Sequence, residues 1–333
     1  MRRCGRCARG DDSPASDDAR STAGPPALPP TYPTPPMSWL TQQLAHLAAA
    51  PQWTYRGGKI SAAEPAAWTA LALTAHDRCQ AALRPAQWLA GMQQENGAVG
   101  VSAEQDEPRW PTSLAILAWT SLDRSCSNDR YAANIERAVL WSLHSRGKTA
   151  PREPRIGHDT NLVGWSWAAD THSWLEPTCL FVMALKAAGR GDHPRAREGV
   201  RLIVDRLLPG GGANYGNTLV LGQELLPHVQ PSGLAMLALA GESLDDSRVE
   251  KTLAYLERSI VADTTPASLS YACMGLAAHR RRPTSASERI NTALDQHPQG
   301  PYEQALLLLA AQPAEAWAPG VSDQPSRELA GAL

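Results

Sequence analysis

Six prolines organise this sequence, because each stands at the start of an apolar run of about ten residues. They are Pro65, Pro111, Pro177, Pro231, Pro266 and Pro301. Small residues follow the proline, and then leucines and alanines; the pattern is strong in the first four runs and weaker in the last two. Proline suits the first turn of a helix, because its missing N–H would have no partner there. The repeat therefore predicts six helices that each begin at a proline.

Between these runs the sequence shows a second kind of helix, apolar on one face only. The predicted segments are 39–49, 84–94, 132–144, 195–208, 249–260 and 285–294. A run that is apolar all round is typical of a helix buried on every side, whereas an apolar stripe on one face is typical of an amphipathic helix whose other face is exposed to solvent. The chain is thus predicted to be all-α, an α/α toroid of about six helical hairpins with inner and outer layers around an apolar central cavity. A linear solenoid is the alternative, and the uneven spacing of the prolines weighs against it.

Composition divides the chain into three parts. Residues 1–36 combine a proline-rich run with clustered charges, which predicts a disordered N-terminal extension. Residues 37–312 form the predicted toroid, and residues 313–333, with Pro, Gly and Ser, are predicted to be a disordered C-terminal tail. Met37 is a second candidate start, so the presence of residues 1–36 in the native protein stays open.

Charge and hydropathy exclude several partners. The net charge is −2 and the charges are interspersed, so no nucleic-acid partner is expected. The longest apolar run, residues 179–185, is far short of the ~20 residues that a bilayer span needs, and the N-terminus has no secretory core segment. With six scattered cysteines, the chain is predicted to be cytoplasmic. Peripheral membrane contact and a protein partner are left open.

Three segments rich in glycine and tryptophan share a further pattern. Residues 84–100 read Arg-x3-Trp-Leu-x3-Gln-x3-Gly-x2-Gly, residues 211–216 form a glycine-rich turn, and residues 164–178 join a loop to an inner helix. Together they resemble the repeat of squalene and hopene cyclases and of the β subunits of protein prenyltransferases. The resemblance covers about residues 37–312 and implies a divergent relative with a single toroid.

The resemblance implies a function only in part. It suggests a toroid that encloses an apolar small molecule of the isoprenoid class, without a cofactor. The Asp-x-Asp-Asp-Thr motif of the cyclases is absent, and the only trace of the prenyltransferase zinc ligands is Asp77-Arg78-Cys79. Activity therefore stays open. The alternatives are a non-catalytic binding or scaffold protein and a glycosidase, for which two facing carboxylates are needed. The shortage of acids at the starts of the inner helices disfavours the glycosidase.

Residues 157–178 are the richest in candidate site residues and are predicted to form a lid over one mouth of the ring. Asp170 and Glu176 are the candidate catalytic acids, since burial or a like-charged neighbour would raise the pKa of a carboxyl toward neutrality. Aromatic residues are expected to contact the ligand. They are Trp110, Trp165, Trp167, Trp174 and Tyr215. Alternatively, the tryptophans pack the loop and the acids cap helices or stay solvated.

Two other kinds of site were weighed. His158, Asp159, His172 and Cys179 are suitable zinc ligands but lack a short fixed spacing, so no metal is expected. Parallel inner helices would crowd their N-termini at one rim and favour an anion such as a diphosphate. Glu64 and Glu176 on the same rim oppose this.

Overall fold

The structure is a computed structural model that describes residues 39–56, 58–153, 155–296 and 300–321. In these ranges the chain forms twelve α-helices, a short 3₁₀ helix and one small hairpin of strands β1 (Leu219–Val220) and β2 (Gln223–Glu224). None of the described helices is long and apolar enough to cross a membrane. The predicted extension, residues 1–36, lies outside the described residues, as does the predicted tail from residue 322 onward.

The helices alternate between an inner and an outer layer, which confirms the predicted α/α toroid. The inner helices are α2 (Ala63–Ala75), α4 (Thr112–Cys126), α6 (Leu175–Ala187), α8 (Val229–Ala238), α10 (Pro266–Ala278) and α12 (Pro301–Ala311). The outer helices are α1 (Trp39–Ala49), α3 (Cys79–Gly91), α5 (Ala132–His144), α7 (Pro194–Asp205), α9 (Ser247–Ser259) and α11 (Ala286–Gln296). Each inner helix packs on the next, and α12 packs back on α2. The ring is therefore closed, and the solenoid alternative is wrong.

The prolines lie where a helix can accept them. Pro266 and Pro301 are the first residues of α10 and α12, Pro111 directly precedes α4, and the others are the third residues of α2, α6 and α8. The first four N–H groups of a helix have no partner within it, so a proline there removes no helical hydrogen bond.

The small residue after the proline has a defined role in three of the repeats. Thr112, Thr178 and Ser232 each accept a hydrogen bond at their hydroxyl from a backbone N–H of the preceding loop, at 2.8–3.1 Å. The Thr178 hydroxyl also donates to the carbonyl of Trp174, and Ser232 to that of His228. These buried hydroxyls join each incoming loop to the start of its inner helix.

Side chains fill the centre of the ring where a cavity was expected. Trp68 of α2 is fully buried and meets Tyr271 of α10 edge-on, with 6.1 Å between the ring centroids. Trp317 reaches the same place from the opposite end, 6.5 Å from Trp68. The expectation of an open apolar chamber is wrong at this point, because large aromatic side chains occupy it.

Residues 313–321 extend the fold beyond the predicted boundary at residue 312. This closing segment contains the 3₁₀ helix Ala314–Ala316, and Trp317 is only 6% exposed. Gly320 packs against the end of α8 so closely that a methyl group on it would lie 2.8 Å from the Ala240 carbonyl oxygen. The closing segment thus runs from the end of α12 across the mouth formed by the C-terminal ends of the inner helices.

Helices α8 and α10 approach most closely, because glycines face each other. A methyl group on Gly275 would lie 2.6 Å from the carbonyl oxygen of Gly233. We expect Gly275→Ala to lower the free energy of unfolding by about 1–3 kcal/mol, the typical cost of overpacking. Gly91→Ala at the end of α3, where nothing lies within 4 Å, is the matched control and should be neutral or slightly stabilising. Urea unfolding measures both, and equal effects would contradict the close approach.

Trp317 allows a test of the closing segment. Trp317→Ala should lower the free energy of unfolding by about 3–5 kcal/mol, because it leaves a cavity against Trp68. Leu226→Ala, at a side chain 79% exposed, should change it by less than about 0.5 kcal/mol. A loss below about 1 kcal/mol for Trp317→Ala in the same unfolding experiment would mean that this segment does not stabilise the ring.

Candidate active site

The residues directly before the prolines meet at one rim of the ring. Glu64, Glu176 and Gln230 occupy this position in α2, α6 and α8. Gln230 Nε2 donates to Glu176 Oε1 at 3.3 Å, and the charge of Glu64 is close enough to raise the pKa of Glu176. The N-terminal ends of these inner helices therefore point the same way, as expected from the sequence.

Glu176 is a buried carboxyl, 6% exposed, in the first turn of α6. Its pKa is raised to about 7 by burial first and by the charge of Glu64 second, while the hydrogen bond from Gln230 opposes the rise. A helix N-terminus favours a charged carboxylate, so burial and Glu64 outweigh that effect here. Glu176 can consequently hold or release a proton near neutral pH.

Glu64 faces the same rim from the first turn of α2 and has more donors around it. The Tyr55 hydroxyl donates to its Oε2 at 2.5 Å. The buried Nε1–H of Trp68 has no hydrogen-bond partner of normal geometry, yet it and Tyr302 lie near enough to lower the pKa of Glu64. Burial is the larger effect and raises that pKa above its ordinary value. Of the two carboxyls, Glu64 has the larger number of donors that oppose the effect of burial.

Three tyrosines complete the surroundings of Glu64. Tyr55 and Tyr302 stack edge-on with 5.1 Å between their ring centroids, and Tyr271 lies behind Trp68. Burial, together with the charge of Glu64, raises the pKa of all three phenols. They therefore stay protonated at neutral pH and can donate hydrogen bonds.

A cleft of about 330 Å³ opens beside Glu64. Its wall combines the aromatic rings of Tyr55 and Trp110 with the polar side chains of Ser61, Ser102 and Gln105. Aromatic faces and a few polar groups are typical of small-molecule sites. The cleft brings a ligand into contact with Glu64.

The predicted ligand contacts divide into two groups. Trp110 and Trp167 meet edge-on, 4.8 Å apart, and line a neighbouring pocket of about 150 Å³ that also includes Asp170. Trp174 and Tyr215 flank the start of α6, where the backbone N–H of Leu175 donates to the Tyr215 carbonyl at 3.0 Å. These four aromatic residues lie at the rim.

Trp165 belongs to the core. It has no exposed surface, stacks on Phe181 with 5.2 Å between centroids, and donates its Nε1–H to the Ser142 carbonyl. The guanidinium of Arg195 covers its other face at 4.4 Å. No face of Trp165 is free for a ligand in this packing.

Asp170 and Glu176 are not brought together as a pair. The Asp170 side chain is 86% exposed and forms an ion pair with Lys148 at 3.3 Å, in a left-handed turn with φ 63°. Such an environment gives a carboxyl none of the desolvation that an acid near neutral pH needs. The partner of Glu176 is Glu64, which the sequence placed on the rim without a catalytic role. Each of these glutamates stands directly before a repeat proline, and this shared position in the sequence is the signal that could have identified them as a pair.

The metal alternative finds no support in the described part of the chain. No group of three His, Cys, Asp or Glu side chains there could hold a metal ion. Cys179 is buried within α6.

Several solved structures are similar to this chain. A glycosidase superposes with a TM-score of 0.57 at 13% identity, over 83% of this chain and 97% of that one. The endo-β-1,4-glucanase CMCax from Acetobacter xylinum gives a TM-score of 0.53 at 15% identity, over 84% and 98% of the two chains. A protein from Actinoplanes gives 0.53 at 12%, over 83% and 98%. No family model and no curated protein matches the sequence.

These similarities correct the family suggested by the sequence. The toroid is shared, but the enzymes named among these similar structures are glycosidases, so the assignment to terpenoid cyclases and prenyltransferases is wrong. The isoprenoid-enclosing function predicted with it is wrong for the same reason, and aromatic side chains fill the place where that ligand was expected. The alternative of a non-catalytic scaffold gains no support from these similarities.

The raised pKa of Glu176 makes the stability of the protein depend on pH. The folded protein binds this proton more tightly than the unfolded chain, whose carboxyl has the ordinary value of 4.5. The stability that the protonated group contributes is therefore present below about pH 4.5 and lost as pH rises toward 7. Glu176→Gln stays neutral and should gain roughly 3 kcal/mol relative to wild type between pH 4.5 and 8.

Urea unfolding at pH 4.5, 6 and 8 measures this difference. Glu224→Gln, at an exposed carboxylate of β2, is the matched control and should show no such trend. A constant difference between Glu176→Gln and wild type across this range would mean that the Glu176 pKa is not raised.

Proposed function

We propose that this protein is a glycoside hydrolase in which Glu176 is the general acid and Glu64 the carboxylate that acts as base or nucleophile. Hydrolysis of a glycosidic bond requires two carboxyl groups, one protonated and one charged, on either side of the bond. Glu176 protonates the leaving oxygen, and Glu64 stabilises or attacks the positively charged sugar, directly or through water.

The observation that carries the proposal is the unequal surroundings of the two carboxyls. Glu64 accepts a hydrogen bond from Tyr55 and has two further donors nearby, which stabilise its charged form and oppose the larger effect of burial on its pKa. Glu176 has one long hydrogen bond from an amide and feels the charge of Glu64, which favours its protonated form. Neighbouring carboxyls that interact in this way hold a single proton between them over a range of pH.

The cleft beside Glu64 suits a sugar. One face of a pyranose ring carries mainly C–H groups and packs on an aromatic ring, while its hydroxyls need polar partners. Trp110 and Tyr55 supply the aromatic faces, and Ser61, Ser102 and Gln105 supply the polar groups.

The similar structures support the same class of reaction. They include a glycosidase, one form of which is in complex with glucose, and an endo-β-1,4-glucanase. At 13–15% identity they support the fold, so the activity rests on the carboxyl pair of this chain.

The proposal predicts that Glu64→Gln and Glu176→Gln each lower kcat by about 10²–10⁴-fold, the usual contribution of a positioned acid or base. The wild-type rate should fall above about pH 7 as Glu176 loses its proton. Release of reducing ends from cellopentaose, carboxymethylcellulose, xylan and polygalacturonate is the measurement.

Glu224→Gln serves as the control and should keep the wild-type rate, because this carboxylate is exposed on β2. Asp170→Asn separates the two candidate acids, since asparagine also accepts the left-handed backbone of residue 170. We expect it to stay within about twofold of wild type. Wild-type protein that hydrolyses none of the four substrates, or Glu176→Gln protein with full activity, would overturn the proposal.

A further inference from the structure

A third cavity, of about 400 Å³, is lined by neither Glu64 nor Glu176. Its volume is within the range of small-molecule sites, ~300–1,000 Å³. The basic part of its lining is Lys148, Arg155, His158, His172 and Arg206. We call it the basic cavity, because its charged lining consists of cations and no carboxylate of the described residues lines it.

Three residues of the lining carry a buried polar atom that has no hydrogen-bond partner. His158 is 9% exposed and Arg206 3% exposed, and neither His158 Nδ1 nor Arg206 Nε has a hydrogen-bond partner. The Thr160 hydroxyl is also buried and unpartnered. An unsatisfied buried polar group carries a free-energy cost. A ligand that accepts hydrogen bonds would remove part of that cost.

The nearby carboxylates do not prevent the cations of the basic cavity from binding an anion. Asp170 pairs with Lys148 at 3.3 Å and Glu153 with Arg155 at 2.6 Å, but both pairs are exposed. Exposed pairs contribute little, so a bound anion can compete for these cations. The buried Arg206 pairs with Asp205 through Nη1, which leaves its Nε without a partner.

The apolar part of the lining points to an organic anion. It consists of Ala150, Ile156, Leu162, Leu219, Val220 and Leu221. Leu221, at the turn of the β1–β2 hairpin, is 94% exposed. An inorganic anion would gain nothing from this wall, whereas the C–H face of a sugar would bury apolar surface against it.

The basic cavity lies next to the carboxyl pair. Ser173 lines it and stands three residues before Glu176, a distance of at most ~11 Å along the chain. Asn217 of the lining follows Tyr215, whose carbonyl accepts the N–H of Leu175. The basic cavity and Glu176 are therefore neighbours in the fold.

We propose that the basic cavity is a subsite that binds the carboxylate-bearing sugar of an acidic saccharide. The inference rests on the proposed glycoside hydrolase function and adds the substrate class: a saccharide that contains uronate units. Its cations hold the carboxylate, and its leucines contact the C–H face of the ring.

The test compares D-glucuronate with D-glucose, which differ in the carboxylate, by NMR titration of the His158 and His172 ring signals in the full-length protein. We expect glucuronate, and not glucose, to shift the His158 signals to saturation. Burial and the charge of Arg206 lower the pKa of His158 to about 4, with His172 adding to the effect and Asp205 and Asp159 opposing it. A bound carboxylate should move this pKa upward.

Variants of exposed residues test the contacts without disturbing the core. Lys148 and Arg155 are 61% and 78% exposed, so the double variant Lys148→Gln/Arg155→Gln should fold and bind glucuronate at least tenfold more weakly. Arg258→Gln, at an exposed arginine on α9, is the matched control and should bind as wild type does.

Three results would overturn the inference: no shift with glucuronate, an equal shift with glucose, or wild-type affinity in the double variant. Sulfate that binds as tightly as glucuronate would reduce the cavity to a site for inorganic anions and would also overturn it. Hydrolysis of cellopentaose without glucuronate binding would overturn this inference and leave the proposed function standing. Glucuronate binding without hydrolysis of any saccharide would remove the proposed function and leave a uronate-binding site.

Discussion

The fold depends on the need to cover six inner helices on every side. Helices such as α6 and α10 bury almost all their residues, so no face of them can remain in water. An open row of hairpins would expose the inner helices at its two ends. Packing α12 on α2 removes those ends, and the outer helices cover the outside. Trp68, Tyr271 and Trp317 fill the space that remains in the middle. Ring closure, the aromatic side chains in the centre and the closing segment therefore all serve to cover the inner helices.

The same arrangement creates the candidate active site. Parallel inner helices bring their N-terminal ends to one rim, and the residue before each proline lies there. In most repeats this residue is neutral, but α2 and α6 place a glutamate at it. Burial beneath the rim loops makes the two carboxyls costly to ionise together, which is the origin of the raised pKa of Glu176. The basic cavity arises differently, from the long insertion between α5 and α6 and the β1–β2 hairpin.

The resemblance that predicted the toroid did not predict the family, and the contacts of its motif explain why. Gln93 binds the carbonyls of Gly97 and Asn134, and Arg84 binds the carbonyl of Ala48. Trp88 packs on Trp53. These contacts join outer helices to one another and to neighbouring loops of the scaffold, and none involves the carboxyl pair. A motif that holds helical hairpins together is informative about the fold and not about the reaction at the rim.

The sequence by itself determined the helices, their two layers and their polarity, because local rules govern these features: proline at the first turn, small residues after it, and the period of the apolar residues. It also placed Glu64 and Glu176 on one rim. Only the tertiary structure decided which acids interact, since the charge of Glu64 raises the pKa of Glu176 while nearby Asp170 is exposed and pairs with Lys148. It also decided that Trp165 belongs to the core and that Trp317 fills the centre. Burial and the distance between charges set the chemistry of a carboxyl, and both depend on residues far apart in the chain.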